Sequence, residues 1–167
     1  TNAPYVPSLL GVGKMSKSIE GSYINLADDL VTIKKRLSKV PTDSGRGILK
    51  ENEKIPSTKE EYDSYMKNVG IVPASVENLM ELVELFQGED RRLDYQKLYL
   101  SDGIRYGDLK NELATAIDKE LSPIREKRKE LESKPEYVDK VIKEGAEKAR
   151  AIASQTVAEV KSKMGLG

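Results

Sequence analysis

A chain of 167 residues, 38% hydrophobic and 34% charged, has the length for a domain with a real core, and its composition fits helices with long polar faces. Its 28 basic and 28 acidic residues cancel, which argues against a protein that coats a polyanion over its whole surface. Cysteine and histidine are both absent, so disulfides, thiol catalysis, cysteine-based zinc sites and imidazole bases are excluded, and chemistry falls to Lys, Arg, Ser, Thr, Tyr and carboxylates.

No apolar run approaches the roughly 20 residues of a membrane span and no secretory signal opens the chain, so a cytoplasmic protein away from membranes is expected. The first residue is Thr1 rather than Met, which fits a piece of something longer. Residues 1–24 hold Pro4, Pro7, Gly11, Gly13 and Gly21 and read as loop. Leu30, Ile33 and Leu37 predict a helix over about Ala27 to Val40, stopped by Pro41. From Val31 to Lys50 six basic residues (Lys34, Lys35, Arg36, Lys39, Arg46, Lys50) face one acid, Asp43. That excess suits either a solvated helix face or a polyanion contact.

The stretch "PTDSGRG" is turn chemistry, and Lys50 to Pro56 reads as polar linker. Ser57 with Glu60 three residues on predicts a capping box and a short helix to about Asn68, broken at "VGIVP". Val76, Leu79, Met80, Val83 and Phe86 predict a buried helix from Ala74 to Phe86, ended by Gly88. Another follows from Asp90 to Leu100. Leu109, Leu113, Ile117, Leu121 and Ile124 predict a long helix from Tyr106 to Glu132, kinked at Pro123. Ser133 is a cap candidate for a last helix with Pro135 in its first turn, carrying Val141, Ile142, Ile152, Val157, Val160 and Met164 and stopping at Gly165. Its small-residue middle (Gly145, Ala149, Ala153) would let a partner helix approach, and the apolar stripes of both long helices are assigned to core. The fold class is mainly α: a helical bundle with an irregular N-terminal loop.

That loop, "GVGKMSKSIEG", sets Lys14 and Lys17 three apart, with Ser16 and Ser18 flanking the second lysine. Ammonium groups, hydroxyls and free amides between glycines suit a polyphosphate, with lysine acting as a mobile point charge. A lysine that arrives as pyrophosphate leaves stabilises the transition state more than the ground state. The same residues also suit a plain solvent-exposed loop. The Walker spacing is not met.

"KMSKS", Lys14 to Ser18, resembles the signature loop of class I aminoacyl-tRNA synthetases. Three further stretches narrow the likeness: "INLADDLVTIKKRLSKVPTDSG", "GIRYGDLKNELATAIDKELSPIREKR" and "EGAEKARAIASQTVAEVKSKMGLG". Together they resemble the carboxy-terminal half of the tryptophanyl-tRNA synthetase family, in the family's order and over most of the chain, most weakly from Lys50 to Leu100. The tyrosyl-tRNA synthetases share the lysine-serine loop but not this tail.

The resemblance implies that residues 1–24 end a nucleotide-binding catalytic domain and that 25–167 form a helical, anticodon-binding domain. It implies ATP as substrate, bound by Lys14, Met15, Ser16, Lys17 and Ser18. Lys14 and Lys17 would be catalytic, neutralising the β- and γ-phosphates; Ser16 and Ser18 would be hydroxyl donors and Met15 a packing anchor. Magnesium would bridge the phosphates, with no dedicated carboxylate cage in this chain. The family's "HIGH"-like signature is missing, as there is no histidine, so this portion alone is expected to be inactive without an N-terminal catalytic domain. The full-length enzyme would be a homodimer. The tRNA(Trp) anticodon would be read at "GEDRR", where Glu89 or Asp90 accepts from a cytosine amino group and Arg91 and Arg92 hold phosphate or stack. A helix start with acids at its positive end is the structural alternative for that stretch. Lys34, Lys35 and Arg36 are candidates for tRNA backbone contact. A non-catalytic helical RNA-binding module that kept the loop is the second functional reading.

Overall fold

The computed structural model describes residues 6–47, 49, 53–69 and 72–166. Pro4, linker residues Lys50 to Asn52, and the break at Gly70 and Ile71 lie outside them. Among the described residues six helices run in order: α1 Leu30–Ser38, α2 Lys59–Val69, α3 Ala74–Gln87, α4 Glu89–Tyr99, α5 Tyr106–Glu132 and α6 Pro135–Lys163. The fold is mainly helical, as expected, and the described residues hold one isolated antiparallel bridge, Pro7 to Lys14. No helix among them is long and apolar enough to cross a membrane. The chain divides into two compact units at Ile124 and Arg125, within α5.

Side-chain hydrogen bonding sets where α1 and α2 begin. Helix α1 starts at Leu30, not Ala27, because Asn25 and Asp28 bond their own neighbourhood: the Ala27 amide donates to Asn25 Oδ1 (3.1 Å) and the Asn25 amide to Asp28 Oδ2 (2.9 Å). Asp29 then caps the helix, accepting from the Thr32 amide at 2.8 Å. The expected capping box lies one residue later than predicted. Thr58 accepts from the Glu61 amide (3.2 Å), and Glu61 Oε2 accepts from the Ser57 amide (2.8 Å).

Helix α3 buries Val76, Leu79, Met80, Leu82 and Val83, and α4 packs on α3 and α2. Helix α5 has the predicted bounds and buries Leu109, Leu113, Ala114, Ile117 and Leu121. Pro123 cannot donate to the Lys119 carbonyl, and the Ser122 hydroxyl donates to it instead at 3.3 Å. The core of the first unit thus joins α1, α3 and α5 with Leu9 from the N-terminal loop, which is only 1% exposed.

Two sequence expectations fail at α6. No residue of it is buried; Ile142, Ile152 and Val157 are open to solvent, Ile152 at 70% exposure. Periodicity shows that a helix has an apolar face but does not locate the partner that would cover it. Ser133 does not cap α6 either: its hydroxyl donates to the Glu130 carbonyl, closing α5, and Lys134 stands at the N-cap.

The "TDSG" turn is fixed by Asp43. One carboxylate oxygen accepts from the Tyr99 hydroxyl at 2.5 Å; the other accepts from the Tyr106 hydroxyl and the Gly45 amide, both at 2.8 Å. Gly45 takes φ +81°, and a Cβ there would collide with the Ile104 carbonyl oxygen, so only glycine fits. One side chain therefore ties the turn to the end of α4 and the start of α5.

Candidate nucleotide-binding loop and nucleic-acid face

The loop begins as a small hairpin. The Ser8 amide donates to the Gly13 carbonyl and the Met15 amide to the Val6 carbonyl, both at 3.0 Å, around the Pro7–Lys14 bridge. Leu9 buries its side chain in the core and its amide donates to the Ser22 carbonyl at 3.0 Å. Asn78 of α3 donates to the Ser8 carbonyl at 2.6 Å. Gly11, at φ +87°, lies so close to the first turn of α3 that a Cβ would stand 2.8 Å from the Ser75 nitrogen. The root of the loop is thereby seated on α3.

The functional candidates rise from this root. Met15 is half-buried and packs on the core. Lys14, Lys17 and Ser18 are exposed, and Ser16 is half-buried. Neither lysine has a hydrogen-bond or ion-pair partner for its amine among the described residues. The Ser18 amide donates to Ser16 Oγ at 3.3 Å. Both lysines thus stand exposed on one loop whose root is held, with neither amine paired among the described residues. Sequence reasoning missed two of the residues that hold it, Ser22 and Asn78.

The second candidate region divides. Glu89 and Asp90 open α4 and are exposed. Arg91 is engaged by Glu112 and by the Tyr95 hydroxyl (3.2 Å), and its guanidinium lies 4.6 Å from the centre of the Tyr95 ring. The Arg91 guanidinium and then the Tyr95 hydroxyl hold the Glu112 carboxyl below its usual range, outweighing desolvation. Arg92 turns inward: its side chain is 5% exposed and pairs with Glu84 (2.7 Å), Asp63 (3.1 Å) and Glu77 (3.8 Å). Burial pushes the Glu77 carboxyl up, and Arg92 only partly offsets this. The signal was available, because residues 92, 95, 96 and 99 follow helical spacing and all four are buried.

A cleft of about 370 Å³ adjoins Arg92, lined also by Val6, Pro7, Lys59, Asp63 and Glu84. Its cations are already matched, since Lys59 binds Glu84 at 2.6 Å, so it offers a polyanion little. On α1, Lys34 and Lys35 are exposed, whereas Arg36 pairs with Asp28 (2.6 Å) and stacks over Tyr23 (4.8 Å). The described residues contain no cluster of three or more metal-ligating side chains.

This arrangement has counterparts among known proteins. The family "tRNA synthetases class I (W and Y)" matches residues 1–122. The chain belongs to this family. It is 38% identical over 160 residues to the tryptophan–tRNA ligase of Porphyromonas gingivalis, covering 96% of this chain and 43% of that one. It is 36% identical over 155 residues to that of Caldanaerobacter subterraneus, covering 92% and 40%. The crystal structure of tryptophanyl-tRNA synthetase from Campylobacter jejuni, complexed with ADP and tryptophan, is similar with a TM-score of 0.67 and 27% identity, covering 99% of this chain and 44% of that one. The chain thus spans about two-fifths of the length of the curated relatives it matches. Within this family match, the lysine-serine loop precedes the helices.

Proposed function

We propose that this chain is the carboxy-terminal part of a tryptophan–tRNA ligase, in which residues 1–24 serve tryptophan activation and residues 25–167 serve tRNA. The observation that carries the proposal is the pair of unpartnered lysines on a loop whose root is hydrogen-bonded and packed in place. In the reaction a tryptophan carboxylate oxygen attacks the α-phosphorus of ATP. The α-phosphorus–oxygen bond to the β-phosphate breaks, and pyrophosphate leaves with the added negative charge. Lys17, with Lys14, neutralises that charge as it develops, and the Ser16 and Ser18 hydroxyls donate to phosphate oxygens. Magnesium would arrive with the nucleotide and offset phosphate charge; the described residues offer no carboxylate set for it. The tryptophan pocket and the rest of the nucleotide site belong to the portion present in the longer relatives.

The test is exchange of labelled pyrophosphate into ATP by the complete enzyme. Exchange that needs tryptophan and ignores tyrosine is expected, and the 167-residue chain alone should give none. Dependence on tyrosine, or exchange by neither, would overturn the assignment.

On the RNA side, Glu89 and Asp90 are the exposed acceptors for a cytosine amino group of the anticodon, worth about 1–3 kcal/mol for a good pair. Lys34 and Lys35, exposed and without an ion pair among the described residues, are candidate cations for phosphate. Arg92, enclosed by three carboxylates, serves by holding α4, and Arg91 by its stack on Tyr95. Asp90→Lys should weaken tRNA(Trp) binding roughly 5–100-fold. Unchanged affinity in a filter-binding titration at fixed salt would strike Asp90 from the reader.

A further inference from the structure

We propose that Ser22 is a positioning residue for Lys17, and that its hydroxyl clasps the lysine-serine loop into a preformed ring; the catalytic half of this inference rests on the pyrophosphate role proposed above. Ser22 is 1% exposed, yet its side chain is polar, so its hydroxyl must be bonded where it lies. Both of its bonds go to the main chain of one residue. The Ser16 amide donates to Ser22 Oγ at 3.2 Å, and Ser22 Oγ donates to the Ser16 carbonyl at 2.8 Å. This closes a ring from Ser16 to Ser22, and Lys17 and Ser18 lie inside it.

The ring is anchored as well as closed. Its base is the Ser22 carbonyl, which accepts from the Leu9 amide at 3.0 Å, and Leu9 is in the core. One residue back, the Ser8 carbonyl accepts from Asn78 on α3. A continuous path of hydrogen bonds and buried chain therefore runs from α3 to the peptide that precedes Lys17. The lysine stem is free and exposed, but the backbone from which it swings is not. A charge donor held in this way loses less freedom when the triphosphate arrives, which is how positioning contributes to rate. No spacing rule marks Ser22, because a hydroxyl bonding to a main chain six residues away leaves no sequence period.

Ser22→Ala removes the hydroxyl with little change of volume, and Ser22→Thr keeps it. In the 167-residue chain, Ser22→Ala should raise the rate of tryptic cleavage after Lys17 about tenfold, since cleavage follows the open population. Ser22→Thr should restore slow cleavage. In the complete enzyme, Ser22→Ala should slow adenylate formation at saturating substrates about tenfold with the KM for tryptophan unchanged. Unaltered cleavage after Lys17 would overturn the clasp, even if Lys17→Ala slows activation. Faster cleavage with unaltered adenylate formation would overturn the positioning role. A silent Lys17→Ala would overturn the catalytic half through the reading beneath it, leaving the cleavage result to stand for the ring alone.

Discussion

In the complete enzyme, Lys17→Ala slows adenylate formation on the order of 10²–10³-fold, the usual consequence of removing one preorganised charge stabiliser. Tryptophan affinity is expected to hold, because the amine meets the departing pyrophosphate and not the amino acid. The structure gives two reasons for the size of the effect. The amine has no competing partner among the described residues, so its charge is available to the phosphates. The peptide that precedes it is held by the Ser16–Ser22 bonds, so the amine swings from a positioned backbone. Single-turnover kinetics of adenylate formation make the measurement. A rate within twofold of the parent would eliminate Lys17 from catalysis.

Asp43→Ala destabilises the fold by roughly 2–4 kcal/mol at neutral pH. The carboxylate accepts three hydrogen bonds, from Tyr99, Tyr106 and Gly45, and bonds to a charged partner are worth about 1.5–3 kcal/mol each where water is excluded. Asp43 is only half-buried, which reduces their sum. Both tyrosines are buried, so their hydroxyls lose a partner that solvent replaces poorly.

The pH dependence follows from the same bonds. Burial raises the Asp43 carboxyl, but the bonds from Tyr99, Gly45 and Tyr106 outweigh it and hold the group below its ordinary 3.8. A depressed carboxyl contributes stability that is complete above the unfolded value and lost as the pH falls through the folded one. The gap between parent and Asp43→Ala should therefore persist from neutrality down to about pH 4 and narrow below it. At the alkaline end, burial and then Asp43 push both tyrosine hydroxyls above their ordinary 10, so their share declines only above that pH. Glu84 and Glu112 are also depressed and share the acid limb, which is why the difference between the two proteins is informative. Urea unfolding at stepped pH gives the curve; a constant gap down to pH 2.5 would mean that the carboxylate is not the acceptor.

Helix α5 was legible to its end residues because its apolar stripe is flanked by "SDG" and "SKP", where glycine and proline stop a helix. The starts of α1 and α2 were not, because side chains one to three residues either side compete for the same amides, and the winner depends on geometry. The apolar stripe of α6 was real and its burial was not: periodicity belongs to one helix, burial to two surfaces. Of the candidate site, Lys14 and Lys17 could be read because their meaning lies in five consecutive residues. Ser22 and Asn78 could not, because each acts on a main chain that folding brings to it; Asp43 was legible as a turn residue but not as the acceptor for Tyr99 and Tyr106. Arg92 illustrates the intermediate case, readable from its helical spacing with Tyr95, Gln96 and Tyr99 once the helix is granted.

The most direct measurement is a structure of the complete enzyme holding a non-hydrolysable ATP analogue together with tryptophan. The Lys17 ammonium should lie about 2.7–2.9 Å from a β- or γ-phosphate oxygen, the spacing of a charge-assisted bond. Both loop amines pointing to bulk water with the triphosphate bound would contradict the account.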